Sequence, residues 1–458
     1  MISNKSWAAL ATSAFIGTFA AGAALAAVSA DEAKQLGTTL TPVGAEKAGN
    51  KDGTIPAWTG GLTTPPAGFQ KGSGKRADPF AGEKPRLVIT GKDMAAQTDK
   101  LTEGTKELLK RYPTMRVDVY PTHRPVYYPA RIVENTAKNA TGAKSIDDGL
   151  GIENVLPGFP FPIPKTGNEV MWNHLLNYRG LGWSAKFDNW NVDASGRPTL
   201  ATTGEASYAW PMYDPKKTGA MKETDPFWYV KFLYLAPARR NGEAMLVHDS
   251  ANPLKQGRRA WLYLPGQRRV RLAPDIAYDT PNPATAGAST YDDGSLFNGA
   301  MDRYDFKLVG KKEMIVPYSN YKLLYATKAA EVTTANHVNP DAVRWELHRV
   351  WVVEANLKPG KRHIYAKRIF YIDEDSWVAV ASDAFDARGQ LFRSGFSFSS
   401  FSYDVPAMWT DTQAFYDFTG GMYTVLGLAG DYQGIKYMTE LPAETFWSAE
   451  QLAGTGVR

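Results

Sequence analysis

The chain has 458 residues, with 52 Lys and Arg against 47 Asp and Glu, so its formal net charge is only +5. This balance excludes the strongly basic composition of typical nucleic-acid-binding proteins, and the absence of cysteine excludes thiol nucleophiles, thiolate zinc sites and iron–sulfur clusters. The aromatic content is high, with 13 Trp, 23 Tyr and 20 Phe.

The first thirty residues predict a cleaved secretory signal peptide. Lys5 is the only charged residue before Asp31, residues 7–27 form an apolar run of mostly small residues, and residues 28–30 suit a cleavage site. No later apolar run is long enough for a membrane-spanning helix. We therefore expect a mature protein that begins near Asp31, lies in the periplasm of a Gram-negative bacterium and does not span the membrane.

Residues 31–90 predict an irregular N-terminal arm, because Gly, Pro and Thr recur there in patterns typical of turns. We expect this arm to form turns and extended pieces, not a packed core. Helices are then predicted over residues 93–111, 130–138 and 168–178.

Beyond residue 199 the pattern changes to that of β-strands. Residues 227–235 are aromatic and β-branched, and residues 260–264 and 268–272 predict a hairpin with Pro265 and Gly266 at the centre of a type II-like turn. Four further strands (344–357, 363–372, 377–381 and 390–393) are separated by short turns, which predicts an antiparallel meander. Within the first of them, His348 and Glu346 fall on the face predicted to be polar. Residues 411–458 are expected to form a tail that packs on the sheet.

The residue types that carry catalysis do not form a recognisable motif. Six histidines are scattered without metal-ligand spacing, and His348 and His363, which could meet across the turn at residues 359–360, are expected to form a polar cross-strand pair. The acidic turns at residues 292–293 and 373–375 lack the spacing of a calcium loop. We predict no catalytic residue, no metal site and no cofactor.

Five arginines surround the hairpin: Arg258, Arg259, Arg268, Arg269 and Arg271. Two interpretations stay open for them. They form a solvated strand face, or they form a docking surface for an acidic partner or lipid headgroups, since guanidinium groups match phosphate and carboxylate oxygens.

The hairpin run over residues 259–271 resembles the central hairpin of LolA-like outer-membrane lipoprotein-sorting proteins. Four more stretches (40–50, 161–164 with 172–174, 344–354 and 370–377) are similar to one family within that superfamily, a Gram-negative periplasmic family of unknown function. The resemblance implies an incomplete antiparallel β-barrel that wraps a few helices around an apolar concavity for acyl chains. It also implies partnership with a resistance–nodulation–division (RND) type exporter and an outer-membrane partner.

The sequence thus predicts a mainly β (α+β) protein: a signal peptide (1–30), the arm (31–90), a LolA-like half-barrel with plug helices (91–410) and the tail (411–458). The predicted function is a non-enzymatic carrier or adaptor for a lipid or lipoprotein cargo. The alternative is a periplasmic glycan-acting enzyme that uses paired carboxylates among the acidic turns. The candidate cargo-binding residues are Trp228, Phe232, Trp261, Tyr263, Trp345, Leu347, Trp351, Ile369 and Phe370.

Overall fold

The computed structural model describes residues 28–455, and the predicted signal segment up to residue 27 lies outside the described residues. Among residues 28–455, no helix is both long and apolar enough to cross a bilayer. The same residues contain six α-helices: α1 (Ala30–Ala33), α2 (Glu103–Arg111), α3 (Ala130–Gly142), α4 (Gly167–Leu175), α5 (Ala329–Val332) and α6 (Ala449–Thr455).

Strands supply most of the regular structure, which confirms the predicted mainly β class. The described part of the chain has twenty strands: β1 (Leu87–Ile89), β2 (Val117–Val119), β3 (Lys144–Ile146), β4 (Gly151–Glu153), β5 (Gly182–Val192), β6 (Pro198–Ala209), β7 (Pro226–Ala236), β8 (Ala244–Ser250), β9 (Arg259–Leu264), β10 (Arg269–Leu272), β11 (Tyr304–Pro317), β12 (Trp345–Leu357), β13 (Lys367–Asp373), β14 (Ala379–Phe385), β15 (Leu391–Ser397), β16 (Ser400–Ser402), β17 (Ala407–Trp409), β18 (Gln413–Asp417), β19 (Met422–Leu428) and β20 (Lys436–Tyr437).

Sixteen of these strands form one extended, open sheet. Its order is β1-β2-β12-β13-β14-β15-β18-β19-β5-β6-β7-β8-β9-β10, with β11 beside β12 and β20 beside β5. Neighbouring strands are antiparallel except for one parallel contact between β2 and β12. The sheet is therefore mixed, and its described path ends at β1 and β10 without closing on itself.

The predicted four-strand meander is confirmed as β12 to β15, which pair in sequence order and antiparallel. The segment after residue 410 also belongs to this sheet, because β18 and β19 lie between β15 and β5. Further along the described residues, α6 packs against β8, β9 and β10.

The β9–β10 hairpin is present, but the predicted type II-like turn is wrong. Residues 265–267 form a 3-10 turn, and Arg268 takes a left-handed conformation with φ 49°. Arg269 then pairs with Leu264. A longer loop that ends in a left-handed residue fits the right-handed twist of the two strands.

The predicted helix over residues 93–111 is divided into two segments. A 3-10 helix covers Met94–Lys100, and α2 starts anew after Thr102, whose hydroxyl caps it by accepting a hydrogen bond from the Thr105 amide. Asp383 on β14 fixes this start, since its carboxylate accepts hydrogen bonds from the first amides of α2. A contact with a strand almost 280 residues later decides where the helix begins. The other two predicted helices are present with shifted bounds: α3 extends to residue 142, and α4 covers residues 167–175.

The N-terminal arm is irregular, as predicted, but the expectation that it stays out of the core is wrong. Ala45 and Ile55 are almost fully buried. The backbone carbonyl of Val43 accepts a hydrogen bond from the indole nitrogen of Trp377 at 2.9 Å. The arm therefore packs against the turn that follows β13 and covers that side of the sheet.

Candidate binding cavity

An apolar cavity of about 170 Å³ lies on one face of the sheet, across β18, β19 and β5 to β8. Directly paired residues of antiparallel strands point to the same side. Two paired rows form the wall: Ala185, Ala206, Phe232 and Met245 in one, and Trp183, Tyr208, Val230 and Val247 in the other. An apolar cavity of about 150 Å³ in another protein stays dry and binds small apolar molecules, so this wall can hold a short apolar group.

A loop of residues 273–298, here called the cover loop, closes the cavity from above. It follows β10 directly, and Ile276, Ala284 and Tyr291 line the cavity. Leu296 lies over Gly395 of β15, where a built Cβ would come within 2.8 Å of the leucine side chain. The glycine therefore lets the loop approach the sheet closely.

Buried ion pairs hold the cover loop to the sheet. Arg368 on β13 donates hydrogen bonds to Asp292 at 3.1 Å and to Asp293 at 2.7 Å. His363 lies 3.0 Å from Asp292, and the Tyr365 hydroxyl donates to Asp293. Burial disfavours the charged carboxylate of Asp292, but Arg368 and His363 outweigh it and hold the pKa of Asp292 well below its usual range. Both aspartates are thus neutralised within the protein.

A second cavity, of about 210 Å³, borders the first and shares Arg258 and Asn298 with it. Arg258 forms a bidentate pair with Asp249, with Nε and Nη2 at 2.8 and 2.7 Å. The Trp228 indole also donates to Asp249, at 2.6 Å. This polar wall divides the two cavities.

A further carboxylate, Asp411, lines the first cavity. Burial raises its pKa, while Arg179, at 3.5 Å, and a hydrogen bond from Ser295 act in the opposite direction. Asp411 Oδ2 has no hydrogen-bond partner among the described residues.

The predicted cargo-binding residues fall in three places. Trp228 and Phe232 line the cavity. Trp261 and Tyr263 point to the opposite face of the sheet, where they pack in a separate cluster with Trp447 and Leu452.

The remaining five predicted residues lie on β12 and β13, in or against the main core: Trp345, Leu347, Trp351, Ile369 and Phe370. Phe370, for example, is fully buried and packs edge-on against Phe297 with ring centroids 5.4 Å apart. None of these five is among the residues that line the cavity.

The five hairpin arginines also separate. Arg259, Arg268, Arg269 and Arg271 are exposed. Arg258 is turned inward, with only 12% of its side chain exposed.

A second polar cluster surrounds β12, where the structure overturns the expectation of a solvated face. Glu346 and His348 are buried, since residues 121–128 and the arm cover that face. His348 hydrogen-bonds Glu346 at 3.1 Å and lies 3.6 Å from Asp373. The expected pairing of His348 with His363 does not occur, because His363 binds the cover loop.

Three side chains of this cluster, His348, Asp373 and Asp375, offer ligand atoms within 4.8 Å of one another, as a metal site would. Arg124 donates to both oxygens of Asp375, at 2.7 and 2.8 Å. A guanidinium therefore already neutralises one of the three groups, and the cluster is built as an ion-pair network that joins β12 to the turn after β13. The acidic turns considered for a glycan-acting enzyme, 292–293 and 373–375, are thus both buried in ion pairs.

We expect the stability contributed by His348 to fall as the pH rises above about 6.5. Burial disfavours the imidazolium, but the hydrogen bond to Glu346 and the charge of Asp373 raise the pKa of His348. A raised pKa stabilises the fold below the unfolded value of about 6.5, and that stabilisation is lost as the pH passes the folded value. Burial also raises the pKa of Asp373, to about 6, which lowers stability with rising pH in the range from about 4 to 6.

The measurement is urea unfolding between pH 6.5 and 8.5 for the wild type and His348→Gln. The free energy of unfolding of the wild type, taken relative to that of the variant at the same pH, should decline across this range. His174, His248 and His337 have lowered pKa values, so their protonation in the unfolded state near pH 6.5 adds a slope of the opposite sign, which is the same in both proteins and cancels in the comparison. Equal slopes for the two proteins would contradict the assignment.

The fold and the cavity together define a class: a mainly β protein whose open, mostly antiparallel sheet holds an apolar cavity beneath a loop. The chain belongs to the family described as "Protein of unknown function (DUF1329)", whose family model matches residues 88–453. It is 43% identical over 436 residues to the uncharacterized protein PA3922 of Pseudomonas aeruginosa, with 95% of each chain covered. The predicted membership in a family of unknown function is confirmed.

Solved structures with partial likeness include the two types of protein that the sequence resembles. A putative outer membrane lipoprotein-sorting protein domain from Vibrio parahaemolyticus has a TM-score of 0.41 at 15% identity, covering 59% of this chain and 91% of that one. A DUF1329 family protein from Desulfovibrio piger has a TM-score of 0.41 at 16% identity, covering 60% and 92%. A LolA superfamily protein from Nitrosomonas europaea has a TM-score of 0.37 at 11% identity, covering 63% and 100%.

The residues that build the cavity were only partly predictable. Arg368, Asp249 and Asn298 were missed as functional residues. Asp249 and Asn298 are brought to Arg258 from 9 and 40 positions away, and Arg368 meets the aspartates across 75 and 76 positions. No local sequence pattern signals such pairs.

Proposed function

We propose that this protein is a periplasmic carrier or adaptor that binds the apolar chain of a lipid or lipoprotein in the cavity beneath the cover loop. The observation that carries the proposal is the lining of this cavity. Aromatic and aliphatic side chains from strands β5 to β8 converge there, and the cavity is large enough for a short apolar segment. Each buried methylene contributes about 0.8 kcal/mol, so useful affinity needs no catalytic group.

The chemistry around the cavity favours binding over turnover. The carboxylates at its border are engaged by cations: Asp249 by Arg258 and Asp411 by Arg179. The acidic turns that would serve a glycan-acting enzyme are held by Arg368 and Arg124 instead. These observations therefore support a carrier function better than a glycan-acting enzyme.

The proposed location and partners of the protein rest on its sequence. The signal segment before Asp31 supports export to the periplasm, and the resemblance to LolA-like sorting proteins suggests a half-barrel that wraps its cargo. An RND-type exporter and an outer-membrane partner stay predictions from that resemblance. Recovery of the mature chain from a periplasmic extract, with a mass that begins near Asp31, would support the location, and a full-length chain in the cytoplasmic fraction would contradict it.

The cavity is tested by filling it. Ala206 lies at the centre of the wall, so Ala206→Phe should place a ring in the cavity and weaken binding of the neutral fluorescent probe N-phenyl-1-naphthylamine at least about tenfold, because the space for the probe is occupied. Fluorescence titration measures the change. The cost in stability should stay within about 1–3 kcal/mol, the usual range for an enlarged side chain.

The matched control is Glu205→Phe, which puts the same ring one residue away on the exposed opposite face of β6. It should leave probe affinity unchanged. If the wild type fails to bind the probe, or if both variants bind as tightly as the wild type, the cavity is not the binding site and the carrier proposal fails.

A further inference from the structure

The wall between the two cavities contains donors that the protein leaves unused. Arg258 carries five N–H groups. Its Nε and Nη2 bind Asp249 and the carbonyl of Asn298, at 2.7 to 2.8 Å. Nη1 makes no hydrogen bond with any residue that the structure describes, although 88% of the side chain is removed from solvent. The guanidinium therefore keeps two N–H groups that are free to bind a hydrogen-bond acceptor in the cavities that Arg258 borders.

Asn298 supplies a second free donor at the same wall. Its side-chain oxygen accepts from Arg258 Nη2 at 3.3 Å, and this contact fixes which end of the amide faces the arginine. The amide nitrogen is then left without a partner within residues 28–455. Asn298 borders both cavities, as Arg258 does.

Both sides of the wall are mainly apolar. The first cavity is lined mainly by rings and aliphatic groups. The second has Trp172 and Phe227, together with the polar residues Asp249, Ser250 and Tyr278. A molecule in the first cavity therefore meets apolar surface for a chain and, at the shared wall, the donors of Arg258 and Asn298.

We propose that the ligand is a single-chain amphiphile with an oxyanion head group, a carboxylate or a phosphate. Its chain lies in the first cavity, and its head group accepts hydrogen bonds from Arg258 Nη1 and the Asn298 amide at the wall, facing the second cavity. This inference rests on the proposed carrier function and names its ligand class. Hydrogen bonds from charged donors to an oxyanion are about twice as strong as neutral ones, which gives the head group a role beyond that of the chain.

The charges around the wall permit an anion there. Asp249 is neutralised by the bidentate Arg258 and by the Trp228 indole. Asp411 faces Arg179. Asp292, the other carboxylate close enough to act on Arg258, is paired with Arg368 and His363. Each acidic group near the site therefore already has its own cation or donor.

The experiment compares three probes that share a ten-carbon chain: decanoate, decyl phosphate and the neutral decanol. Each displaces N-phenyl-1-naphthylamine from the full mature protein at pH 8. At least one of the two anions should bind about tenfold or more tightly than decanol, since the charge-assisted hydrogen bonds are absent in the alcohol. Tighter binding of decanoate indicates a fatty-acid-like ligand, and tighter binding of decyl phosphate indicates a lipid with a phosphate head group.

Variants locate the head group. Arg258→Met should remove the preference for the anion over decanol, whereas Arg259→Met, at the exposed neighbouring position, should keep it. Asp249→Asn removes the competing negative charge but not the arginine, so it should strengthen decanoate binding. This second variant keeps the test valid if Arg258→Met fails to fold.

The outcomes separate the inference from the function on which it rests. If decanol binds as tightly as both anions, or if Asp249→Asn weakens decanoate binding, the head-group site is wrong and the carrier function stands. If none of the three probes displaces N-phenyl-1-naphthylamine, the site is wrong as well. If the wild type does not bind N-phenyl-1-naphthylamine itself, the carrier function fails.

Discussion

Replacing Arg368 by methionine should destabilise the protein by about 3–5 kcal/mol, because it leaves two buried carboxylates without their cation. The Arg368 side chain is 2% exposed, and those of Asp292 and Asp293 are 3% and 6% exposed. His363 and Tyr365 remain beside the aspartates but do not supply a permanent positive charge. Urea unfolding measures the loss.

The same substitution should release the cover loop. Arg368 is the arginine that joins Asp292 and Asp293 to β13, so its removal should make residues 273–298 accessible to chymotrypsin under conditions where the rest of the chain is still folded. Mass spectrometry of the first cleavage products identifies the site, and Tyr278 and Tyr291 are the expected positions. First cuts elsewhere would contradict the role of the ion pair in holding the loop.

Arg388→Met is the matched control. Arg388 also pairs with an aspartate, Asp386, at 2.9 Å, but 80% of its side chain is exposed. Loss of an exposed pair costs about 0–1 kcal/mol. A triple variant, Arg368→Met with Asp292→Asn and Asp293→Asn, should recover part of the stability, since it leaves no unpaired charge. Equal effects of Arg368→Met and Arg388→Met would show that the buried pair does not hold the fold.

The strands of this fold were predictable because their signals are local. The alternation along 345–357 and the short turns that follow it predict the β12 to β15 meander, and the hairpin at residues 259–272 could be placed from its turn residues. These elements pair with their neighbours in sequence, so the information needed to place them lies within a few residues. The same holds for Trp228 and Phe232, which lie on the same face of β7 and both line the cavity.

The cover loop and the arm were not predictable in this way. Residues 273–298 look like any turn-rich segment, and their position depends on Arg368, which lies far along the chain. Arg258 shares its sequence surroundings with four exposed arginines, and only the partner Asp249 on the neighbouring strand turns it inward. Tertiary contacts decide which of these residues is buried and paired, and composition and periodicity carry no information about such contacts.

Gly44 makes one of the close contacts by which the arm docks, and it allows a specific prediction. Gly44 lies against residue 162, in one of the stretches that carried the family resemblance, and a Cβ built at Gly44 would meet the Pro162 carbonyl oxygen at 1.8 Å. Gly44 also has φ +98°, a conformation that residues with a side chain rarely adopt. Both the space and the backbone at this position therefore require glycine.

Gly44→Ala should destabilise the protein by about 3 kcal/mol or more, since the left-handed backbone costs about 1–2 kcal/mol and overpacking against a rigid carbonyl a further 1–3. Gly53→Ala is the control, because Gly53 has φ +67° but nothing within 4 Å of the built Cβ, so it carries the backbone cost alone. The difference between the two variants in urea unfolding isolates the contact with Pro162. In Gly44→Ala, limited proteolysis should cut first between residues 31 and 60, because a displaced arm also gives up the hydrogen bond from Trp377 to Val43. If both glycine variants lose the same stability, the arm is held by its other contacts and its docking does not depend on the approach of Gly44 to Pro162.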